Sequence, residues 1–243
     1  MNPSWKKIVV MLPTYNEATN IAPLIEALLA LHIPSLHVLV VDDASPDGTA
    51  HIVRSLMKKY HQVHLLVRHT DKGRGTAGIA GYKKALEMGA DVVCEMDADF
   101  SHDPRFLPFL LQRLHSTDIV LGSRAVHGGS DIDRPFFRQI LTKLANLYIA
   151  LLLGLHVKDC NSGYRCFRRY VLESLNLDSL TSKGPAIVQE VLYRAHLKGF
   201  SIDEVPITFV ERRRGTSKLG FSHLYQGYLF IIKLKMLHLL RKI

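Results

Sequence analysis

Residues 91–102 read Asp-Val-Val-Cys-Glu-Met-Asp-Ala-Asp-Phe-Ser-His, an apolar run that stops at two aspartates spaced two apart. The run, Asp91 to Met96, reads as a buried strand. In an extended chain, residues i and i+2 point the same way, so Asp97 and Asp99 present two carboxylates to one side. Like charges that close repel unless a cation joins them. Hard oxygen ligands suit Mg2+ or Mn2+, and such ions are commonly held by one or two carboxylates plus substrate phosphates. The same triplet alone also fits a solvated turn with helix-capping aspartates; its place at the end of a strand favours the cation.

Working outward, further short β-branched runs predict strands over 7–12, 37–41 and 63–67. Between them, periodic apolar positions predict helices over 20–31, 48–60 and 76–88, with Asn20 as an N-cap and Pro23 in a first turn. Regular strand–helix alternation implies βαβ units and a mostly parallel sheet. Ligands of such sheets bind outside the carboxyl ends of the strands. The segments there are 13–17, 42–47, 68–75 and 97–102. Helices over 104–115, 134–153 and 185–198 and strands over 118–121 and 202–205 continue the same domain.

Asp42 and Asp43 follow an apolar strand, so one of them can accept a hydrogen bond from a base or ribose. Ser45-Pro46-Asp47-Gly48 is also strong turn chemistry, and both readings stay open. Gly73-x-Gly75-x-x-Gly78 matches a dinucleotide fingerprint. That fingerprint needs a tight strand-to-helix turn, whereas five residues separate Val67 from Gly73. The glycines are expected to let a loop approach a ligand or to cap the following helix.

The chain has 243 residues, 47% of them apolar, which suffices for a folded core. Cys94, Cys160 and Cys166 have no paired spacing and read as reduced thiols. The 13 histidines are scattered, and His61 and His64 read as surface residues. The first residues do not read as a signal sequence. The longest uncharged apolar run, Leu147 to Leu155, falls short of the about 20 residues of a membrane span. Net charge is +9, and the segment 211–243 holds eight Lys or Arg against one acid. A basic tail points to phosphates. It lacks the aromatic–basic platform and any motif of a nucleic-acid binder, so nucleic acid is not an expected partner.

Together, Pro13-Thr14-Tyr15-Asn16-Glu17, Val41-Asp42-Asp43-x-Ser45, Asp97-Ala98-Asp99, Gly122-Ser123-Arg124, Asp159-x-x-Ser162-Gly163-Tyr164-Arg165 and Gly215-x-Ser217-Lys218-Leu219-Gly220 resemble family 2 GT-A glycosyltransferases, in the group of polyprenol-phosphate (dolichol-phosphate) mannosyltransferases. The resemblance implies an α/β fold: a GT-A, Rossmann-like, mostly parallel central sheet flanked by helices. It also implies a catalytic domain over 1–220 and an amphipathic C-terminal helix over 221–243. The implied reaction moves mannose, with inversion, from GDP-mannose to a polyprenyl monophosphate. A UDP-sugar donor, giving polyprenyl-phosphate glucose or an aminosugar, is the alternative.

Carried over by position, Pro13, Tyr15, Glu17 and Asp43 would meet the base and ribose. Asp97, Ala98 and Asp99 would meet the diphosphate, with Asp97, Asp99 and Ser101 at a Mg2+ or Mn2+ ion. Arg124, Arg138, Arg212 and Lys218 would gather around the donor and acceptor phosphates, with Asp99 and these four cations forming the catalytic set. The chain resembles the short type without a transmembrane domain. Its expected place is cytoplasmic, peripheral on the cytosolic face of a membrane, alone or with a small membrane-protein subunit. Two segments, 136–155 and 220–243, pair an apolar face with basic residues, the pattern of an interfacial helix.

Overall fold

The computed structural model describes residues 5–210 and 221–240, with the side chains of 221–226 left aside. The first half alternates as its apolar periodicity requires: β1 (Ile8–Thr14), α1 (Ala18–Leu29), β2 (Leu36–Asp42), α2 (Thr49–Lys59), β3 (Val63–Val67), α3 (Arg74–Glu87) and β4 (Val92–Glu95). The second half adds a 3-10 turn at Pro104–Phe106, then α4 (Leu107–Leu114), β5 (Ile119–Ser123), β6 (Ser130–Ile132) and α5 (Phe136–Leu153). It continues with β7 (Arg165–Arg168), α6 (Arg169–Ser174), α7 (Ile187–Leu197), β8 (Ile202–Pro206), β9 (Thr208–Val210) and α8 (Phe221–Leu239).

Seven strands form one sheet in the order β3-β2-β1-β4-β7-β5-β8, and β6 pairs with β9 in a small second sheet. Every pair in the large sheet is parallel except those of β7, which runs against both β4 and β5. Side chains alternate across the sheet, and both faces are covered. Val9 and Met11 of β1 join one core with α3, α5, α7 and α8. Ile8, Val10 and Leu12 join the other with α1, α2 and α4. Burial on both faces is why these strands read as unbroken apolar runs. From α8, Ile231 and Leu234 enter the first core.

The structure departs from the sequence expectation at several points. β1 continues through Pro13 to Thr14, because its pairing with β4 has ended at Met11 and only β2 remains alongside. Proline's missing N–H therefore breaks no ladder on the open side. Asn20 does not cap α1. The helix begins at Ala18, and the capping acceptor comes from another loop: Asp47 accepts from the Ala18 N–H at 2.9 Å and from the Thr49 N–H at 3.0 Å. One carboxylate thus serves the amino ends of both α1 and α2. Asn20 instead donates to Glu17 Oε2 at 2.8 Å. His64 is half-buried and stacks on His37, with ring nitrogens 3.0 Å apart. All three cysteines are buried and unbridged.

Candidate active site

Each parallel strand from β1 to β4 hands its chain to a loop at one edge of the sheet. In each of those loops one non-glycine residue sits in the left-handed region: Asn16 (φ 62°), Ala44 (φ 50°), Asp71 (φ 48°) and Phe100 (φ 62°). Such conformations cost roughly 1 kcal/mol each and persist where surrounding bonds over-determine them. The bonds are present. Asn16 N–H donates to Ser45 Oγ at 2.9 Å, and Glu17 N–H to Thr49 Oγ1 at 3.0 Å. Asp42 is fully buried and accepts from Ser45 N–H at 2.9 Å and Thr14 Oγ1 at 3.0 Å. The open question at 42–43 resolves into a division of labour: Asp42 makes the turn and Asp43 lines the cleft.

That cleft has a volume of about 1510 Å3. Pro13, Tyr15, Glu17 and Asp43 line it from the ends of β1 and β2. Asp97, Ala98, Asp99 and Ser101 line it from the end of β4, Arg124 from the end of β5, and Arg138 from α5. Arg212 and Lys218 lie outside the described residues.

Asp43 is clamped on both oxygens, by Arg68 Nη1 at 2.5 Å and the Gly73 N–H at 2.7 Å. It holds the 68–73 loop against the cleft. The glycines after it serve close approach. Gly75 packs so tightly on the 182–184 segment that a Cβ would stand 2.2 Å from the Ser182 carbonyl, while its N–H donates to the Lys183 carbonyl at 3.0 Å.

At the end of β4, Asp99 Oδ1 accepts from Ser101 Oγ at 2.6 Å and from Ser101 N–H at 3.0 Å. The Asp97 N–H donates to His102 Nδ1 at 3.1 Å. Because a backbone N–H can only donate, that imidazole is neutral with its proton on Nε2. Burial pushes the His102 pKa down, against the pull of Asp97 and Asp99. Among the described residues no three His, Cys, Asp or Glu side chains converge as a complete metal cage. Two carboxylates and a hydroxyl make a partial set of hard oxygens, which fits a cation whose remaining ligands come from a diphosphate.

Behind these aspartates lies a charge cluster that the sequence does not announce. Glu95 is fully buried, 2.5 Å from Arg165 Nη2 and 2.6 Å from Arg74 Nη1, and it accepts from the Tyr82 hydroxyl. Burial alone would raise its pKa; Arg74, Arg165 and Tyr82 outweigh it and hold the carboxyl at about 2. Arg74 also reaches Asp97 Oδ1 at 3.4 Å, which links the cluster to the cleft. Arg74 opens α3, but its glycine-rich surroundings read as a loop in the sequence.

On the opposite side, Arg124 forms a two-pronged bond to the buried Asp159, Nε to Oδ2 at 2.8 Å and Nη2 to Oδ1 at 2.9 Å. The Phe209 ring lies under its guanidinium at 4.7 Å. A planar fork held on one edge turns its remaining N–H groups in a fixed direction.

A nucleotide-scale cleft at the carboxyl edge of this sheet, with paired aspartates on one side and arginines on the other, is the GT-A arrangement. The chain belongs to glycosyl transferase family 2, whose pattern it matches over residues 9–175. It is 42% identical over 214 residues to the undecaprenyl-phosphate mannosyltransferase of Micrococcus luteus, covering 88% of each chain. It is also 42% identical over 224 residues to the polyprenol monophosphomannose synthase of Mycolicibacterium smegmatis, covering 91% of this chain and 84% of that one. In three dimensions it resembles the glucosyl-3-phosphoglycerate synthase of Mycobacterium tuberculosis solved with Mn2+, UDP and phosphoglyceric acid. That match has a TM-score of 0.69 at 20% identity and covers 96% of this chain and 78% of that one, a likeness of fold.

Proposed function

We propose that this protein transfers mannose from GDP-mannose to a polyprenyl monophosphate, with inversion, releasing GDP. The observation that carries the reading is the 42% identity, over most of both chains, to two enzymes named for mannose transfer to a polyprenyl phosphate. The cleft supports it chemically. A phosphomonoester is anionic at neutral pH, so its oxygen can attack the anomeric carbon without a strong general base. The difficulty is bringing two phosphate groups together.

In this reading Pro13, Tyr15, Glu17 and Asp43 seat the nucleoside. Asp97, Asp99 and Ser101 would hold Mg2+ or Mn2+, which when bound would offset charge developing on the leaving diphosphate. Arg124, aimed by Asp159, and Arg138 meet phosphate oxygens; Arg212 and Lys218 are proposed to join them.

A polyprenyl acceptor requires a membrane surface, and α5 offers one. Phe137, Leu144, Leu147 and Leu151 recur on one side of it at 71%, 58%, 55% and 75% exposure. Leu229, Ile232, Met236 and Leu239 of α8, which packs on α5, are exposed too. Among the described residues α5 alone is long and apolar enough to cross a membrane by composition. Its buried Asn146, Ile149 and Leu153 tie it to the domain, which favours a helix lying in the interface. Phe137 and Arg138 also line the cleft, so the acceptor's phosphate has a short route inward. We place the protein peripherally on the cytosolic face, where a small membrane-protein subunit would use the same apolar side.

The test offers radiolabelled GDP-mannose and UDP-sugars with polyprenyl phosphate and Mg2+ or Mn2+, and counts label in the organic phase. Metal-dependent lipid product from GDP-mannose is expected. Product from a UDP-sugar alone would replace the donor, and product from none would overturn the reading.

A further inference from the structure

The far side of the cleft holds a row of amides whose direction is fixed from one end. The row starts at Asp159, a buried carboxylate bonded to Arg124 at 2.8 and 2.9 Å. Burial would raise its pKa, but the Arg124 bonds outweigh that and keep it low, so Asp159 is an anion and can only accept. Asn146 must therefore turn its Nδ2 toward Asp159 Oδ1, at 3.2 Å.

That leaves Asn146 Oδ1 facing the other way, where it accepts from Asn161 N–H at 3.2 Å and Asn161 Nδ2 at 2.6 Å. The backbone N–H confirms the orientation independently, since it can only donate. Asn161 then presents Oδ1 to its next neighbour, and Gln189 meets it with Nε2 at 2.5 Å. No amide in the row can be flipped without placing two donors or two acceptors face to face.

The polarity runs out at Gln189 Oε1. This side chain is 8% exposed, and Oε1 is buried with no hydrogen-bond partner among the described residues. Asn161 and Gln189 both line the cleft. The same wall includes Gly163, where a Cβ would stand 3.4 Å from both carboxylate oxygens of Asp97. A buried acceptor left unsatisfied is costly, and its usual remedy is a donor from water or a ligand.

What arrives must donate. Phosphate oxygens of the donor or acceptor at neutral pH only accept, and the nucleoside is assigned above to Pro13, Tyr15, Glu17 and Asp43. The hydroxyls of the sugar are the groups of a nucleotide-sugar that can donate here. We propose that Gln189 is a specificity-determining residue whose Oε1 accepts a hydrogen bond from one hydroxyl of the transferred hexose. This rests on the nucleotide-sugar reading given above.

The experiment is a cycle between Gln189→Met, which keeps volume and removes the acceptor together with the Nε2 donor to Asn161, and a set of GDP-mannose analogues each lacking one hydroxyl. Wild type should lose about tenfold in kcat/KM with one analogue. Gln189→Met should lose about tenfold with GDP-mannose and nothing further with that same analogue, while the other analogues keep their penalties. GDP affinity with Mn2+, read by calorimetry, should be unchanged. Gln189→Leu repeats the cycle if the Met variant melts early. Equal penalties for every analogue in wild type and variant, an unaltered variant, or GDP binding weakened in parallel would each overturn the inference while GDP-mannose turnover by wild type stands. If wild type turns over another hexose donor, the cycle runs on that sugar. A wild type that turns over no nucleotide-sugar removes the functional reading and this inference with it.

Discussion

The two walls of the cleft are built in opposite ways. The near wall, at the ends of β1, β2 and β4, is main chain shaped by strained turns, with Asp43, Asp97 and Asp99 at the edge of a largely apolar sheet. The far wall, from Asp159 to Gly163 and along α7, is held by polar side chains buried among themselves: Arg124, Asp159, Asn146, Asn161 and Gln189. On the near wall the strands are apolar apart from the Glu95 cluster beneath them, and the polar groups stand at their ends. On the far wall the polar groups are the scaffold. Substitutions should therefore separate activity from stability on one wall and mix them on the other.

The largest separation is expected at Asp99. Asp99→Ala should lower transfer by about a thousandfold or more, since it removes a carboxylate proposed to meet the metal and diphosphate. Its melting temperature should stay within about 3 °C of wild type, the range for a change of about 0.5 kcal/mol outside the core. Near-normal turnover would remove Asp99 from the machinery. Asp159→Ala should do the reverse first. It strands the Arg124 guanidinium, and urea denaturation should show a loss of about 3–5 kcal/mol. A loss under about 1 kcal/mol would mean that the far wall does not depend on its polar row.

Glu95, beneath the near wall, tests whether the comparison is complete. Its folded pKa of about 2 lies below the ordinary 4.5, so its contribution is full above pH 4.5 and is lost as pH falls from 4.5 toward 2. The loss is on the order of 3 kcal/mol. Glu95→Gln should destabilise the protein and remove that part of the slope from acid-denaturation curves. An unchanged slope would show that other carboxylates carry it.

The smallest effect on folding is expected outside both walls. Leu144→Glu with Leu151→Glu should change stability by no more than about 0.5 kcal/mol. The double variant should sediment with anionic liposomes several-fold less than wild type, whose own binding should fall at high salt. Equal sedimentation of the two proteins would move the membrane contact elsewhere.

The near wall was readable because its code is local. An apolar run followed by Pro13-Thr14-Tyr15 or Asp97-Ala98-Asp99 states both the strand and what stands at its end. β7 was not readable. It is four residues long and begins with Arg165, a buried cation that breaks the apolar pattern and makes sense only beside Glu95, 70 positions earlier in the chain. β6 and β9, at three residues each, are too short to show a period. The N-cap at Asn20 failed for a related reason, since the acceptor at the start of α1 comes from Asp47 across a loop. Gln189 lay hidden on a helix between Val188 and Glu190, where one amide reads as noise. Arg212 and Lys218, legible only through family resemblance, lie outside the described residues.

The reversed strand β7 also bears on how such a chain can diversify. Parallel strands deliver to the cleft the residues that follow them; β7 delivers the residues that precede it, 159–163. Between Leu155 and Asp159 the chain crosses no strand, so a residue gained or lost there leaves every ladder of the sheet in register. Insertion or deletion there would move the wall that stands beside Asp97 without moving the strands that carry the aspartates. A single sheet can in this way carry clefts of different breadth with the same two aspartates at its edge.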